Sequence, residues 1–158
     1  MRFPERIFTE EELEKARSII AKGFKHRLRI TGDKEFKQKV QEALKHVKTV
    51  KLYDFMRTYI RKIVEVDGLS QLKESEATIW TNKYMAEDPI EAASFFIMKT
   101  WQMKQFLNGK LYFGGEAEEQ LNQKRIEFLK TLKEKTKKKH VKKRCQEILE
   151  TWQESTLL

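Results

Sequence analysis

The longest apolar stretch of the chain lies between residues 88 and 107, and its apolar side chains point in every direction around a helix axis. The run from Ala92 to Met98 carries no charge. A helix that is apolar on all sides is one that other elements surround. Asp88 is a good N-cap, Pro89 suits the first helical position, and Glu91 completes a capping box. The pattern therefore predicts a buried central helix over 88–107.

Outside the central helix, apolar residues recur at the i, i+4, i+7 spacing of amphipathic helices. This spacing and the capping residues predict six further helices: from Thr9, after Asp33, over 52–66, over 70–85, from Glu116, and after a junction at 136–140. No stretch alternates between apolar and polar residues for long enough to indicate a strand.

The expected fold is an all-α, single-domain bundle of six or seven helices around the central helix 88–107. The number is six if the last two helices form one long kinked helix, since no glycine or proline marks their junction. A length of 158 residues is enough for one domain, residues 1–158, with a proper core. Two prolines and six glycines are too few for a β fold rich in turns.

The chain has a single cysteine, Cys145, so it can form no internal disulfide and has no cysteine cluster for a metal. No stretch approaches the roughly 18 uncharged residues that a membrane-spanning helix needs. The N-terminal residues lack the apolar core of a signal peptide. We therefore expect no membrane insertion and a cytoplasmic location.

Residue types that could carry catalysis do not fall at the spacings that catalysis requires. None of the three histidines, His26, His46 and His140, has another histidine or a cysteine one helical turn away. His140 and Cys145 are five residues apart, which turns their side chains away from each other on a helix. Cys145 also falls on an apolar face, where thiols are unreactive. We expect no metal, no cofactor and no catalytic residue at these positions.

Four carboxylates, Glu65, Glu74, Glu76 and Glu87, surround the predicted helix 70–85. Di-metal proteins built from helices use inward-facing glutamates together with a Glu-x-x-His motif. This chain lacks that motif, and the simpler explanation for the carboxylates is that they reach the helix edge or pair with lysines. A helical enzyme with a carboxylate site near 70–85 is the least supported of three functional hypotheses.

The charge distribution is the clear anomaly of the sequence. The formal net charge is +9, and the segment 124–144, termed the basic segment, carries eleven basic and two acidic residues while the rest of the chain is balanced. Its cations are Lys124, Arg125, Lys130, Lys133, Lys135, Lys137, Lys138, Lys139, Lys142, Lys143 and Arg144. Like charges one helical turn apart repel, and lysines at the start of a helix oppose its dipole. An anionic partner would relieve both costs.

Two functions compete to explain the basic segment. The leading hypothesis is a non-enzymatic helical binding protein whose cations, all of the segment's except Lys130 and Lys135, contact the phosphates of RNA or DNA. A second cluster, Lys25, Arg27 and Arg29, would extend this surface if the fold brings the two together. The alternative is a protein–protein interaction or oligomerisation module, with the basic segment as solvated surface.

Overall fold

The structure is a computed structural model that describes residues 9–21, 28–109 and 115–157, with side chains up to Trp152. These ranges contain the helices α1 (Glu10–Ala21), α2 (Lys34–Thr49), α3 (Tyr53–Tyr59), α4 (Lys83–Ala86), α5 (Pro89–Leu107), α6 (Gly115–Lys135) and α7 (Lys139–Leu157). They also contain the strands β1 (Arg29–Thr31), β2 (Lys62–Glu65), β3 (Gln71–Lys73) and β4 (Thr78–Thr81). The predicted all-α fold is therefore wrong, and the chain is a mixed α/β protein dominated by helices.

The four strands form one sheet in the order β1-β2-β4-β3. The strands β1, β2 and β4 are parallel, and β3 is an antiparallel edge strand. The register places Ile30 beside Ile63, and Ile63 beside Ile79. Ile63 and Ile79 are fully buried, and helices α2 and α5 contact the outer strands β1 and β3. The crossover from β1 to β2 runs through α2 and α3, which is the usual way to join parallel strands.

The predicted helix 70–85 is wrong because its apolar spacing has a second explanation. Leu72 and Ile79 are seven residues apart, which is two turns of a helix, but they are cross-strand neighbours in the β3–β4 pair. Both are buried. A short 3₁₀ turn, Glu74–Glu76, joins the two strands, and Ala77 follows it in the left-handed region at φ 50°. A helix and a pair of strands joined by a tight turn would therefore both bury Leu72 and Ile79, so their spacing does not distinguish the two structures.

The predicted helix 52–66 ends earlier than its spacing suggested. The helix α3 stops at Tyr59, and β2 begins at Lys62. Arg61, between them, donates hydrogen bonds to the carbonyl oxygens of Arg57 in α3 and of Ile20 in α1 (both 2.8 Å). These carbonyls belong to last turns, where no helical partner is available. Arg61 thus caps the C-terminal ends of α3 and α1, immediately before the chain enters β2.

The central helix is confirmed as α5. The Asp88 side chain accepts hydrogen bonds from the backbone N–H groups of Ile90 (2.9 Å) and Glu91 (3.3 Å), so the predicted cap is formed. Eleven residues of α5 are buried, and helices α1, α2, α3, α4, α6 and α7 and strand β3 contact it. The helix ends at Leu107, Asn108 is its C-cap, and Gly109 follows with φ 72°.

Three other predicted helix boundaries are confirmed. Thr9 and Glu12 exchange the two hydrogen bonds of a capping box at the start of α1. Asp33 caps α2 through the N–H of Phe36 (2.8 Å). The last two helices are separate, because α6 ends at Lys135 and α7 begins at Lys139. Within the described ranges, no helix has an apolar run long enough to span a bilayer.

Candidate nucleic-acid interface

The basic segment forms most of α6, the junction 136–138 and the first turns of α7. Its eleven cations fall into two groups according to their exposure. Four are half-buried, namely Lys124, Arg125, Lys133 and Arg144. Seven are exposed and are termed the lysine cluster: Lys130, Lys135, Lys137, Lys138, Lys139, Lys142 and Lys143.

Arg144 holds the start of α7 against the start of α5. Its Nε donates to Asp88 Oδ2 at 2.6 Å, and its other nitrogens lie 3.8 Å from Glu91 and 3.4 Å from Glu147. The hydrogen bond to Asp88 raises the pKa of the guanidinium further. The charge of Arg144 is thus largely balanced inside the protein, so Arg144 contributes less to an external surface than the sequence suggested.

Arg125 lies deeper, between α5 and α7. Its Nε donates to the buried Ser94 Oγ at 2.8 Å, and its guanidinium carbon lies 4.6 Å from the centre of the Trp152 ring. Burial lowers the pKa of Arg125 to about 10, although the nearby Glu91 opposes that shift. Arg125 remains charged at neutral pH, but its charged group packs among protein atoms rather than facing solvent.

Lys133 and Lys124 also have internal partners. The Lys133 ammonium donates to the side chain of Gln146, which ties α6 to α7. The Lys124 ammonium lies 4.4 Å above the centre of the Trp101 ring and 3.7 Å from a Glu127 oxygen. Four of the nine predicted contacts in the basic segment therefore hold helices together as well as carrying charge.

The lysine cluster differs from these four residues. None of its side chains makes a hydrogen bond, an ion pair or a ring contact with another residue that the structure describes. The first turn of α7 contains no acidic residue, so the lysines there meet no local negative charge. The partial positive charge of the α7 N-terminus adds to theirs. The hairpin end formed by α6 and α7 is therefore the concentrated positive surface of the molecule as described.

A shallow groove of about 350 Å³ between α6 and α7 lies beside this end. Lys130 and Lys142 of the lysine cluster line it from opposite helices, together with Lys133. Glu134 is the acidic side chain of its lining. Three lysines and one carboxylate therefore give this groove a net positive lining.

His46 of α2 lies close to the lysine cluster, which the sequence did not indicate. Burial lowers the pKa of this imidazole, and the charge of Lys138 lowers it further. Glu42 and Asp88 act in the opposite direction with smaller effects. His46 is therefore neutral at neutral pH and adds no charge to the surface.

The second basic cluster is only partly described. Lys25 and Arg27 lie outside the described residues. Arg29 is exposed on β1, an edge strand that contacts mainly β2 and α2, whereas α7 contacts mainly α6 and α5. Among the residues described, Arg29 is thus not gathered into the lysine cluster.

The four carboxylates near 70–85 do not converge. Glu65 accepts a hydrogen bond from the Asp33 N–H (2.9 Å), Glu74 is buried, and Glu76 and Glu87 are exposed. Within 9–21, 28–109 and 115–157, no three histidine, cysteine or carboxylate side chains are grouped as a metal site requires. The helix on which the carboxylate hypothesis depended is also replaced by strands.

The Cys145 thiol is fully buried on the inner face of α7, and His140 is exposed. Burial raises the pKa of this thiol to about 11. A thiol with this pKa is protonated at neutral pH, and the thiolate is the nucleophilic form. Cys145 therefore serves as a small core residue.

Comparison with known proteins adds nothing to this description. Neither the protein-family models, nor the curated proteins, nor the solved structures gave a match to the chain. The surface chemistry of the chain therefore has to support any functional argument.

Proposed function

We propose that this protein binds the phosphate backbone of RNA or DNA through the lysine cluster, without catalysing a reaction. The observation that carries the proposal is the contrast inside the basic segment. Four of its cations have partners within the protein, whereas seven lysines gather at one hairpin end with no acidic partner among the described residues. A cytoplasmic location, where nucleic acid is available, belongs to the same proposal.

Lysine recognises phosphate as a flexible point charge, so the expected binding has little sequence preference. Each phosphate that a lysine neutralises releases condensed counterions, and the affinity then falls steeply with salt. Binding would also screen the repulsion between Lys138 and Lys142, and between Lys139 and Lys143, which are one helical turn apart. The partner would thus reduce a cost that the free protein carries.

A protein–protein contact is the second candidate, and one observation favours it. Leu69 and Tyr84 are large and strongly exposed, at 81% and 89% of their surface. The loop that carries Leu69 lies beside the start of α4, which carries Tyr84, because Asn82 donates hydrogen bonds to the Gly68 carbonyl (3.1 Å) and to Ser70 Oγ (2.8 Å). Two residues form only a small patch, and scattered exposed apolar residues are common on monomers. This candidate therefore ranks below phosphate binding.

The test replaces five lysines of the cluster by glutamine: Lys137, Lys138, Lys139, Lys142 and Lys143. A matched control replaces five exposed lysines elsewhere: Lys15, Lys34, Lys37, Lys51 and Lys62. Both variants lose the same total charge, so any difference between them reports on position. Circular dichroism first establishes that both variants are folded.

Binding to a 20-base-pair duplex and to a single strand is then titrated by fluorescence anisotropy at several salt concentrations. We expect the cluster variant to lose at least about tenfold in affinity, and the slope of log affinity against log salt to become shallower by about 0.9 per lost contact on duplex and about 0.7 on a single strand. The control should lose less than about threefold. Equal losses in both variants, or an unchanged slope in the cluster variant, would reject the proposal.

A further inference from the structure

A second groove, of about 440 Å³, lies between the C-terminal half of α5 and the N-terminal half of α6. Trp101, Lys104 and Gln105 contribute to it from α5, and Lys124 contributes from α6. The remaining lining side chains are amides, apart from Glu127. The groove combines an aromatic ring, two cations and several amides. Packing of the core does not require this combination of groups.

Trp101 is held in place at the wall of this groove. It is half-buried, and its ring packs on Phe55 with 4.7 Å between the ring centres. The ammonium groups of Lys104 and Lys124 lie 5.1 and 4.4 Å from the centre of the Trp101 ring. An anionic ligand would attract these flexible ammonium groups and free ring surface for stacking. A phosphate beside a flat ring has this chemistry.

Gln105 supplies a hydrogen-bond acceptor that lacks a donor. Its Oε1 atom is buried and accepts no hydrogen bond from any residue that the structure describes. Buried polar atoms in folded proteins are nearly always partnered, so this oxygen indicates a position where a donor is expected. The N–H groups on the edge of a nucleobase are such donors.

We infer that this groove binds one nucleotide of a single-stranded nucleic acid. The base lies against Trp101, and the amide of Gln105, which lines the groove, turns so that its Oε1 accepts an N–H from the base, while the phosphate lies between Lys104 and Lys124. A base inside a duplex is excluded, because its faces are stacked and its pairing edge is occupied. The inference rests on the proposed function and narrows it to single strands.

One strand reaches both surfaces. Lys124 of the groove and Lys135 of the lysine cluster are on the same helix, and eleven residues of α-helix span about 16 Å. A stacked strand rises about 3.4 Å per nucleotide, so about five nucleotides cover this distance. The groove would hold one base while the lysine cluster binds phosphates further along the strand.

The experiment uses the fluorescence of Trp101 in the full chain. Phenylalanine replaces the other two tryptophans, Trp80 and Trp152, so Trp101 alone reports. The probes are a ten-residue oligodeoxythymidine and a ten-base-pair duplex. We expect the single strand to quench Trp101 and the duplex to bind without quenching it. Failure of the single strand to quench Trp101 at saturation would overturn the inference.

Two variants then measure the contribution of the groove to affinity. Trp101→Leu should weaken single-strand binding at least about fivefold, which is the lower end for loss of one stacked base. Gln105→Ala should weaken it at least about twofold, as expected for loss of one hydrogen bond, and both variants should leave duplex binding unchanged. Gln38→Ala, an exposed glutamine on α2, is the control and should have no effect. If Trp101→Leu fails to fold after losing its contact with Phe55, Gln105→Ala alone decides the result.

The outcomes separate this inference from the proposed function. Loss of both kinds of binding in the lysine-cluster variant, with no effect of Gln105→Ala, would overturn the groove and keep the proposed function. The opposite result is that Gln105→Ala weakens the quenching while the lysine-cluster variant binds as tightly as the unaltered protein. That result would keep the groove and reject the lysine cluster.

Discussion

Arg125 and Lys139 are both cations of the basic segment, yet the fold gives them opposite environments. Arg125 hydrogen-bonds to Ser94 and packs on Trp152, whereas Lys139 is exposed at the start of α7 with no partner among the described residues. The difference shows that local charge density does not identify a binding surface by itself. What matters is which cations remain unpaired after the helices have packed.

The largest expected effect comes from removing the most deeply placed cation. Arg125→Ala should lower the free energy of unfolding by about 2 kcal/mol, because a hydrogen bond to a charged donor and the packed stem of the side chain are both lost. Urea denaturation measures the change. A loss below about 0.5 kcal/mol would mean that Arg125 contributes no more to stability than an exposed lysine, and would contradict the contrast with Lys139.

Arg144→Ala should have a smaller effect, about 0.5–1 kcal/mol, because its ion pairs with Asp88 and Glu91 are partly exposed and screened. Asp88 would keep its hydrogen bonds to the first turn of α5, so the cap survives. The stability difference should shrink in high salt. A loss as large as that for Arg125→Ala would mean that the contact between α5 and α7 depends on this pair.

The five-lysine variant of the lysine cluster should hardly change stability. Its lysines are exposed, and removing the repulsion between neighbouring turns should raise the free energy of unfolding by a few tenths of a kcal/mol. Thermal unfolding at low salt gives the sign. A clear destabilisation would show that these lysines have structural partners and would remove the contrast with Arg125.

Local signals explain why α5 was predictable from the sequence. Its cap, its charge-free run and its terminal Asn108-Gly109 all lie within the helix or next to it. The sheet has no such signal, because its strands are only three or four residues long and show too little alternation to be recognised. Leu72 and Ile79 then fit a helical period by their spacing alone.

The candidate site also has one part that the sequence predicts and one part that it does not. The excess charge of the basic segment is visible in the sequence, but the partners that neutralise part of it are distant. Asp88 is 56 residues from Arg144, and Ser94 is 31 residues from Arg125. The groove at Trp101 also depends on pairing α5 with α6. Only the folded chain therefore identifies which cations lack a partner among the described residues and which lysines lie beside the Trp101 ring.

The smallest expected effect tests whether the lysine cluster acts on its surroundings. Burial is the main cause of the lowered pKa of His46, and the charge of Lys138 is the second. Because the unfolded chain then binds more protons than the folded one, this imidazole lowers stability as the pH falls through and below its ordinary value of 6.5. His46→Gln should therefore reduce the loss in the free energy of unfolding between about pH 7 and pH 5.

Lys138→Gln should raise the His46 pKa towards 6.5 in an NMR titration, whereas Lys37→Gln, on the same helix as His46, should leave that pKa unchanged. Equal shifts in both variants would mean that His46 senses only the net charge of the protein, and no shift in either would mean that Lys138 is too well solvated to act on it.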